Sequence, residues 1–172
     1  VDERFNYVED SEMIFDVDTL ILSVGLVPYN IILEDIGTKM SSTRGAYVDE
    51  NYQTSVEGIF ACGNALHVHD LVDFVSEESV LAGKGAAKYI KGELNCKGEV
   101  TLTSNGNGVS YIVPQQYRLD NIDDKIAFKF RVRKPYHNVK VVIKADDEVI
   151  KSIVKPHRLT AEMETIKLDK KV

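Results

Sequence analysis

The stretch Thr54-Ser55-Val56-Glu57-Gly58-Ile59-Phe60-Ala61-Cys62-Gly63-Asn64 does most to decide the fold of this chain. Its first five residues are typical of a polar turn, and residues 59–62 predict a short buried strand that Gly63 and Asn64 end. A glycine after a buried strand lets phosphate or sugar oxygens approach the backbone closely, because no side chain intervenes. The alternative is an ordinary strand-ending turn, since glycine and asparagine are common turn formers.

A second apolar run lies upstream, at residues 18–24, Asp-Thr-Leu-Ile-Leu-Ser-Val. It predicts a strand buried on both faces, as in a parallel sheet covered by helices. Gly25 and Pro28 end the run, and residues 30–36 predict one or two helical turns. The residues before it predict a short hairpin around the acidic turn Glu9-Asp10-Ser11, with strands at 4–8 and 12–16.

The strongest helix pattern covers about residues 70–91. Asp70 suits the N-cap, Asp73 adds a carboxylate to the first turn, and Gly92 ends the helix. Its apolar positions predict one inward stripe: Leu71, Phe74, Val75, Leu81, Ala82, Ala86, Tyr89 and Ile90.

The pattern changes after Gly98, where short apolar segments alternate with charged side chains as in antiparallel strands with one solvated face. Six strands are predicted, at 99–103, 109–113, 126–133, 138–144, 148–153 and 163–168. Asn105-Gly106-Asn107-Gly108 and Asp146-Asp147 are predicted hairpin turns. Such a segment favours a small β-sandwich.

Charge divides the chain at the same place. Residues 1–98 hold 7 Lys and Arg against 17 Asp and Glu, whereas the rest holds 14 against 10. We therefore predict two domains, at 1–97 and 98–172. The basic part lacks the clustered stripe of a nucleic-acid binder, so no nucleic-acid partner is expected. No run approaches the roughly 20 apolar residues of a membrane span.

The two cysteines, Cys62 and Cys96, form no CxxC pair, which argues against a zinc site, a redox dithiol or a secreted disulfide scaffold. Cys62 fits a small core residue. A cytoplasmic location is the simplest interpretation. Because the chain begins with Val1 and shows no signal peptide, we expect it to be a piece of a longer protein.

Together the two apolar runs resemble the two-dinucleotide-domain flavoproteins, the pyridine nucleotide-disulphide oxidoreductase superfamily. In that family a strand ends in Gly-x-x-Pro-Asn, which Gly25-Leu-Val-Pro28-Tyr29-Asn30 resembles with one additional residue before Asn30. A later strand follows Thr-x-x-x-Gly-[Ile/Val]-[Tyr/Phe]-Ala-x-Gly-Asp, as at residues 54–64. The resemblance implies an α/β fold, in which the C-terminal half of an FAD/NAD(P)-binding Rossmann-like domain precedes a small all-β sandwich-like domain. It also implies FAD as cofactor, NAD(P) as a possible second nucleotide, and six cofactor-binding positions: Gly25, Pro28, Gly63, Asn64, Asp70 and Leu71. The family usually has Asp where Asn64 stands; Asn keeps the acceptor oxygen and loses the charge.

The sequence of residues 63–73 resembles that of a narrower group, the NAD(FAD)-dependent dehydrogenases allied to sarcosine oxidase alpha, opine oxidase and hydrogen cyanide synthase subunits. This resemblance implies other dehydrogenase subunits as partners and leaves the substrate open.

His67 and His69 have three interpretations. A metal site needs three or four ligands, and Asp70 does not complete a convincing set, so no metal is predicted. Surface or helix-capping histidines are the second interpretation. The third makes them catalytic: we expect residues 67–70 to lie at the helix N-terminus near the pyrimidine end of the flavin ring, where a histidine stabilises anionic reduced flavin or moves a proton.

No GxGxxG pattern occurs in the sequence, so the phosphate-binding loops of both dinucleotide domains are absent. We expect the chain by itself to be inactive and to bind FAD weakly. The leading hypothesis is a hydride-transferring FAD-dependent dehydrogenase in the full-length protein. The alternative is a non-catalytic module that docks a partner subunit through its β-domain.

Overall fold

The computed structural model describes residues 2, 6–23 and 25–171. Two helices precede seven strands. The helices are α1 (Ile31–Asp35) and α2 (Val72–Ile90); the strands are β1 (Thr101–Leu102), β2 (Val109–Val113), β3 (Gln116–Tyr117), β4 (Lys125–Val132), β5 (Tyr136–Ala145), β6 (Glu148–Arg158) and β7 (Glu164–Asp169). Short 3-10 turns occur at Gly63–Ala65 and Leu119–Asn121.

The predicted strand at 18–24 is wrong for its described part. Residues 18–23 make no ladder pair, and Ile21 is 86% exposed. A strand buried on both faces needs paired neighbours and covering helices, and the described residues supply neither at this position. Val24 lies outside them.

The predicted N-terminal hairpin is also wrong where it is described. Residues 6–8 and 12–16 belong to no strand ladder. Glu9 and Asp10 do form a turn, in which the Ser11 amide donates to the Val8 carbonyl at 3.3 Å. Residues 3–5 lie outside the described chain. The predicted helical turns at 30–36 are confirmed by α1.

Residues 40–61 fold through three isolated antiparallel bridges, which join Met40 to Ala46, Val48 to Thr54 and Gln53 to Phe60. In place of the expected buried strand at 59–62, there is therefore a single bridge, in which Phe60 pairs with Gln53 in antiparallel orientation. Ala61 is nonetheless buried, in a core with six other residues: Ala46, Val48, Tyr52, Leu66, Ala82 and Val113.

The long helix is confirmed, with α2 starting two residues later than predicted. Its buried stripe is narrower than the apolar pattern indicates. Only Glu78, Ala82 and Gly85 are buried on it, whereas Phe74 and Leu81 are about 40% exposed. The spacing of three and four residues places these three side-chain positions on one helix face.

The β-rich unit confirms the six predicted strands and adds β3. Strands β2, β4 and β7 form one antiparallel sheet, and β5 and β6 form a hairpin around Asp146 and Asp147. Apolar side chains of both sheets meet in one core, in the manner of a small sandwich. The predicted hairpin turn at 105–108 is wrong in its pairing, because β1 pairs with β3 and β2 with β4.

Polar contacts join the two parts of the chain. The Gln115 side chain accepts the Val48 amide at 2.9 Å, and Arg118 lies 3.3 Å from the Asp49 carboxylate. Burial and the adjacent Glu50 carboxylate raise the pKa of Asp49 to about 6. The predicted boundary at 97 and 98 falls between α2 and β1. Among the described residues, no helix has the length and apolar character that crossing a membrane requires.

Two glycines of α2 test how closely the helix packs. A Cβ on Gly85 would lie 2.3 Å from the Asn51 carbonyl oxygen, whereas one on Gly83 meets nothing within 4 Å. We expect Gly85→Ala to lower the free energy of unfolding by about 1–3 kcal/mol through overpacking. Gly83→Ala should raise it by up to about 1 kcal/mol, because alanine is the better helix former. Urea unfolding checks both, and equal effects would contradict the packing of α2 against Asn51.

Candidate functional site

The turn at Gly63 brings the end of residues 59–62 against α2. Gly63 has a φ of 64°, which an L side chain rarely adopts, and a Cβ there would lie 3.0 Å from Val75 Cγ1. Glycine is therefore needed for the backbone conformation and for the approach of the helix. Cys62 packs, half-buried, against the first core, as expected of a small core residue.

Asn64 is exposed and braces the loop that follows. Its side-chain oxygen accepts the His69 amide at 3.0 Å. The Nδ2 amino group of the side chain remains available to contact a ligand.

Both histidines are buried, so the surface or capping interpretation is wrong. His67 Nε2 lies 3.0 Å from Glu78 Oε2, and His69 Nε2 lies 3.2 Å from Glu78 Oε1. The side chains of all three residues are at most 1% exposed. The His67 ring also packs edge-on against the Tyr111 ring, with 5.8 Å between centroids.

Glu78 is the centre of the site, and sequence reasoning missed it. Its carboxylate accepts the Gly63 amide at 2.7 Å and the Lys129 ammonium at 2.6 Å, besides the two histidines. Burial by itself raises the pKa of this carboxyl, but hydrogen bonds from His67, His69 and Lys129 outweigh burial and hold its pKa well below the ordinary value. A signal was present: Glu78 occupies the helix face that Ala82 and Gly85 share.

Burial also acts on His67. It lowers the pKa of His67, and the opposing hydrogen bond to Glu78 does not restore it. The Nδ1 atoms of His67 and His69 are both buried without a hydrogen-bond partner in the described chain. If each Nε2–H donates to Glu78, each Nδ1 is a free acceptor.

His67, His69 and Glu78 place three possible ligand atoms within 4.8 Å of one another, so Glu78 supplies the third donor that Asp70 does not. Two observations disfavour a metal here. The Lys129 ammonium already occupies Glu78 Oε2. Histidines that bind a metal normally donate their other ring nitrogen to a second partner, and neither Nδ1 atom has one among the described residues. We do not assign these residues as metal ligands.

Asp70 is not the N-cap of α2. Leu71 holds that position, and no side chain caps it. Asp70 instead pairs with Arg131 and accepts the Met163 amide at 2.7 Å, while Arg131 also donates to the Val68 carbonyl at 3.0 Å. The loop is thus tied to the β-rich unit, because the Asp70 carboxylate is drawn toward a cation instead of the helix amides.

Gly25 and Pro28 lie in the irregular segment before α1, and Gly25 has a φ of 90°. The residue that connects this segment to the second motif is Asn30. Its side-chain amide donates to the Ala65 carbonyl at 2.6 Å and to the Arg44 carbonyl at 2.8 Å. The structure therefore brings Asn30, the last residue of the first motif, against the turn of the second.

A groove of about 620 Å³ lies between α2 and strands β4 and β7. His69 and Lys129 line it, so the buried cluster borders an open surface.

Replacing Glu78 tests whether its charge organises the site. Glu78→Gln leaves Lys129 without a counter-charge, so we expect the free energy of unfolding at pH 7 to fall by about 3–5 kcal/mol. Because the folded-state pKa of Glu78 is depressed, its contribution is present above the unfolded-state pKa and lost as pH falls through the folded-state value. The variant should accordingly lose less stability on acidification than the parent.

Glu77→Gln, one residue away and exposed, is the matched control. It should change stability by no more than about 0.5 kcal/mol. Equal losses in the two variants would show that Glu78 has no special role.

Comparison with known proteins adds one match. Residues 2–82 match the model of the family described as pyridine nucleotide-disulphide oxidoreductase. No solved structure matches the chain. Members of this family generally bind FAD and NAD(P). The matched range contains both motifs, both histidines and Glu78, and it ends inside α2. Residues 2–82 are therefore similar to the pyridine nucleotide-disulphide oxidoreductase family, whose members have a Rossmann-like nucleotide-binding region and act as FAD- and NAD(P)-dependent oxidoreductases.

Proposed function

We propose that this chain closes the FAD site of a larger FAD-dependent, NAD(P)-linked dehydrogenase. The observation that carries the proposal is the Gly63–Asn64 turn, held against α2 within the segment that matches the oxidoreductase family. When bound, the flavin supplies the redox chemistry by accepting and passing on a hydride. The residues of this chain supply position, hydrogen bonds and charge.

The start of α2 fits a flavin for an electrostatic reason. Its first amides receive no side-chain cap, and the positive end of a 19-residue helix favours negative charge beside it. A reduced flavin ring gathers negative charge. Because Asp70 is engaged by Arg131, its carboxylate does not compete for those amides.

The Gly63 amide has a different task. It donates to Glu78, so it is not free to bind a cofactor phosphate. Support for the cofactor-binding role of this turn therefore comes from the missing glycine side chain and from Asn64, whose side chain is exposed.

The histidines fit a role as proton acceptors. Their Nε2 atoms face a carboxylate, which fixes the ring orientation, and their Nδ1 atoms have no partner in the part of the chain that the structure describes. This arrangement is the one in which a carboxylate orients an imidazole and leaves its second nitrogen to take a proton. We assign His67 and His69 this function toward the flavin or its substrate, and Gly25, Pro28 and Leu71 to the surrounding cofactor surface.

The narrower assignments belong to the same proposal. Association with other dehydrogenase subunits and a cytoplasmic location stay predictions. The alternative, a non-catalytic docking module, predicts that the full-length protein purifies without flavin, whereas a dehydrogenase retains it.

Asn64 offers the direct test in the full-length protein. Asn64→Ala removes a polar side chain from the proposed ribitol contact, so we expect FAD affinity to fall about fivefold, the equivalent of about 1 kcal/mol. Asn64→Asp keeps the oxygen that accepts the His69 amide and should retain the parent affinity or exceed it. Flavin titration followed by fluorescence, with thermal unfolding to check the fold, measures both. Unchanged affinity in Asn64→Ala would remove Asn64 from the site.

A further inference from the structure

Lys129 is the only cation within hydrogen-bond distance of Glu78 in the described chain, and it comes from the β-rich unit, outside the family match. Its ammonium lies 2.6 Å from Glu78 Oε2, and its side chain is 9% exposed. Glu78 is not exposed at all. A buried ion of either sign is costly without a partner, so the two charges depend on each other.

The charge balance of this cluster limits the charge that the histidine rings can carry. One carboxylate and one ammonium cancel, so a proton added to either ring would leave a net positive charge in a buried place. The four donors to Glu78 also match the roughly four lone-pair sites that a carboxylate offers. The cluster is therefore complete with an uncharged His67 ring.

We propose that Lys129 is a positioning residue that keeps His67 uncharged at neutral pH through its ion pair with Glu78. The β-rich unit would thereby set the protonation state of a histidine in the loop between Gly63 and α2. The inference rests on the proposed function only for its consequence at the flavin. The charge state of His67 itself depends on the residues of this chain and does not require a bound flavin.

Other charged and titratable groups around the histidines do not take over this role. Burial raises the pKa of Tyr52 and of Tyr111, so both phenols are neutral where histidine titrates. Arg131 is paired with Asp70. The His69 ring packs against His67, with 4.5 Å between centroids, and donates to the same carboxylate. Glu77 is exposed on the preceding position of α2. Burial is the largest cause that lowers the pKa of His67, and the neighbouring His69 and the Lys129 charge add to it. Lys129 is the cation of this set that also pairs with Glu78.

The test is the titration of the His67 ring protons by NMR in the purified chain. In the parent the midpoint should lie below the ordinary histidine value. Lys129→Met removes the competing cation and leaves Glu78 anionic, so the midpoint should rise by about one pH unit or more. Lys129→Arg keeps the charge and should restore the parent midpoint.

Two further variants keep the test decisive. Lys125 lies on β4, like Lys129, but it is exposed and pairs with Asp169. Lys125→Met should therefore leave the His67 midpoint unchanged. If Lys129→Met does not fold, Lys129→Gln keeps a donor for Glu78 without the charge and gives the same comparison. A His67 midpoint that is the same in the parent and in the charge-removing variant would overturn the proposal.

Zinc provides a second check. Because Lys129 occupies the place of a cation, titration of the parent with Zn²⁺ should leave both histidine spectra unchanged. Stoichiometric binding that moves them would show that the rings are metal ligands and would overturn the proposal. In the flavin-loaded protein, Lys129→Gln should also change the pH dependence of the flavin potential. A changed His67 titration with an unchanged potential would support the role of Lys129 and contradict the proposed function.

Discussion

The Glu78 carboxylate is the constraint on which the site depends. It is buried, it carries charge, and it accepts hydrogen bonds from three separate segments: the Gly63 turn, the histidine loop and strand β4. A buried carboxylate without these donors would take up a proton, because desolvation disfavours the charged form. The donors in turn lose their acceptor if the loop moves. Loop, helix and sheet are therefore held in one arrangement by a single charge.

This arrangement brings the β-rich unit into contact with the segment that matches the oxidoreductase family. Lys129 reaches the centre of the cluster, and Arg131, two residues along the same strand and also pointing toward the loop, engages Asp70 and the Val68 carbonyl. Residues of one strand that lie two positions apart share a face of the sheet. One face of β4 thus presents two cations to the loop between Gly63 and α2. The loop proposed to face the flavin is thus held by contacts from a β-rich unit that the family match does not include.

The sequence predicts best what local pattern controls. The antiparallel strands after Gly98 follow from alternation, and α2 follows from its apolar stripe and the glycine after it. The two motifs indicate the family. The run at 18–24 shows the limit of this reasoning, because an apolar run specifies a buried strand only when neighbouring strands and helices are present to bury it.

The histidines and Asp70 could not be placed from the sequence because their partners are distant in the chain. The hydrogen-bond acceptor of both histidines, Glu78, lies 11 and 9 residues further along the chain, inside α2. Asp70 fits an N-cap by position, but a cation 61 residues away outcompetes the helix amides for its carboxylate. Long-range electrostatics of this kind leaves one trace in the sequence, a glutamate on the buried face of an apolar helix.

The central claim is that the Glu78 carboxylate accepts a hydrogen bond from the Nε2–H group of both histidines. Long-range ¹H–¹⁵N spectra of the imidazole rings at neutral pH measure it directly, since the nitrogen shifts distinguish a protonated nitrogen from an unprotonated one. The account predicts protonated Nε2 and unprotonated Nδ1 in His67 and His69 alike. Rings protonated at Nδ1 would contradict it, because Glu78 would then have lost two of its four donors.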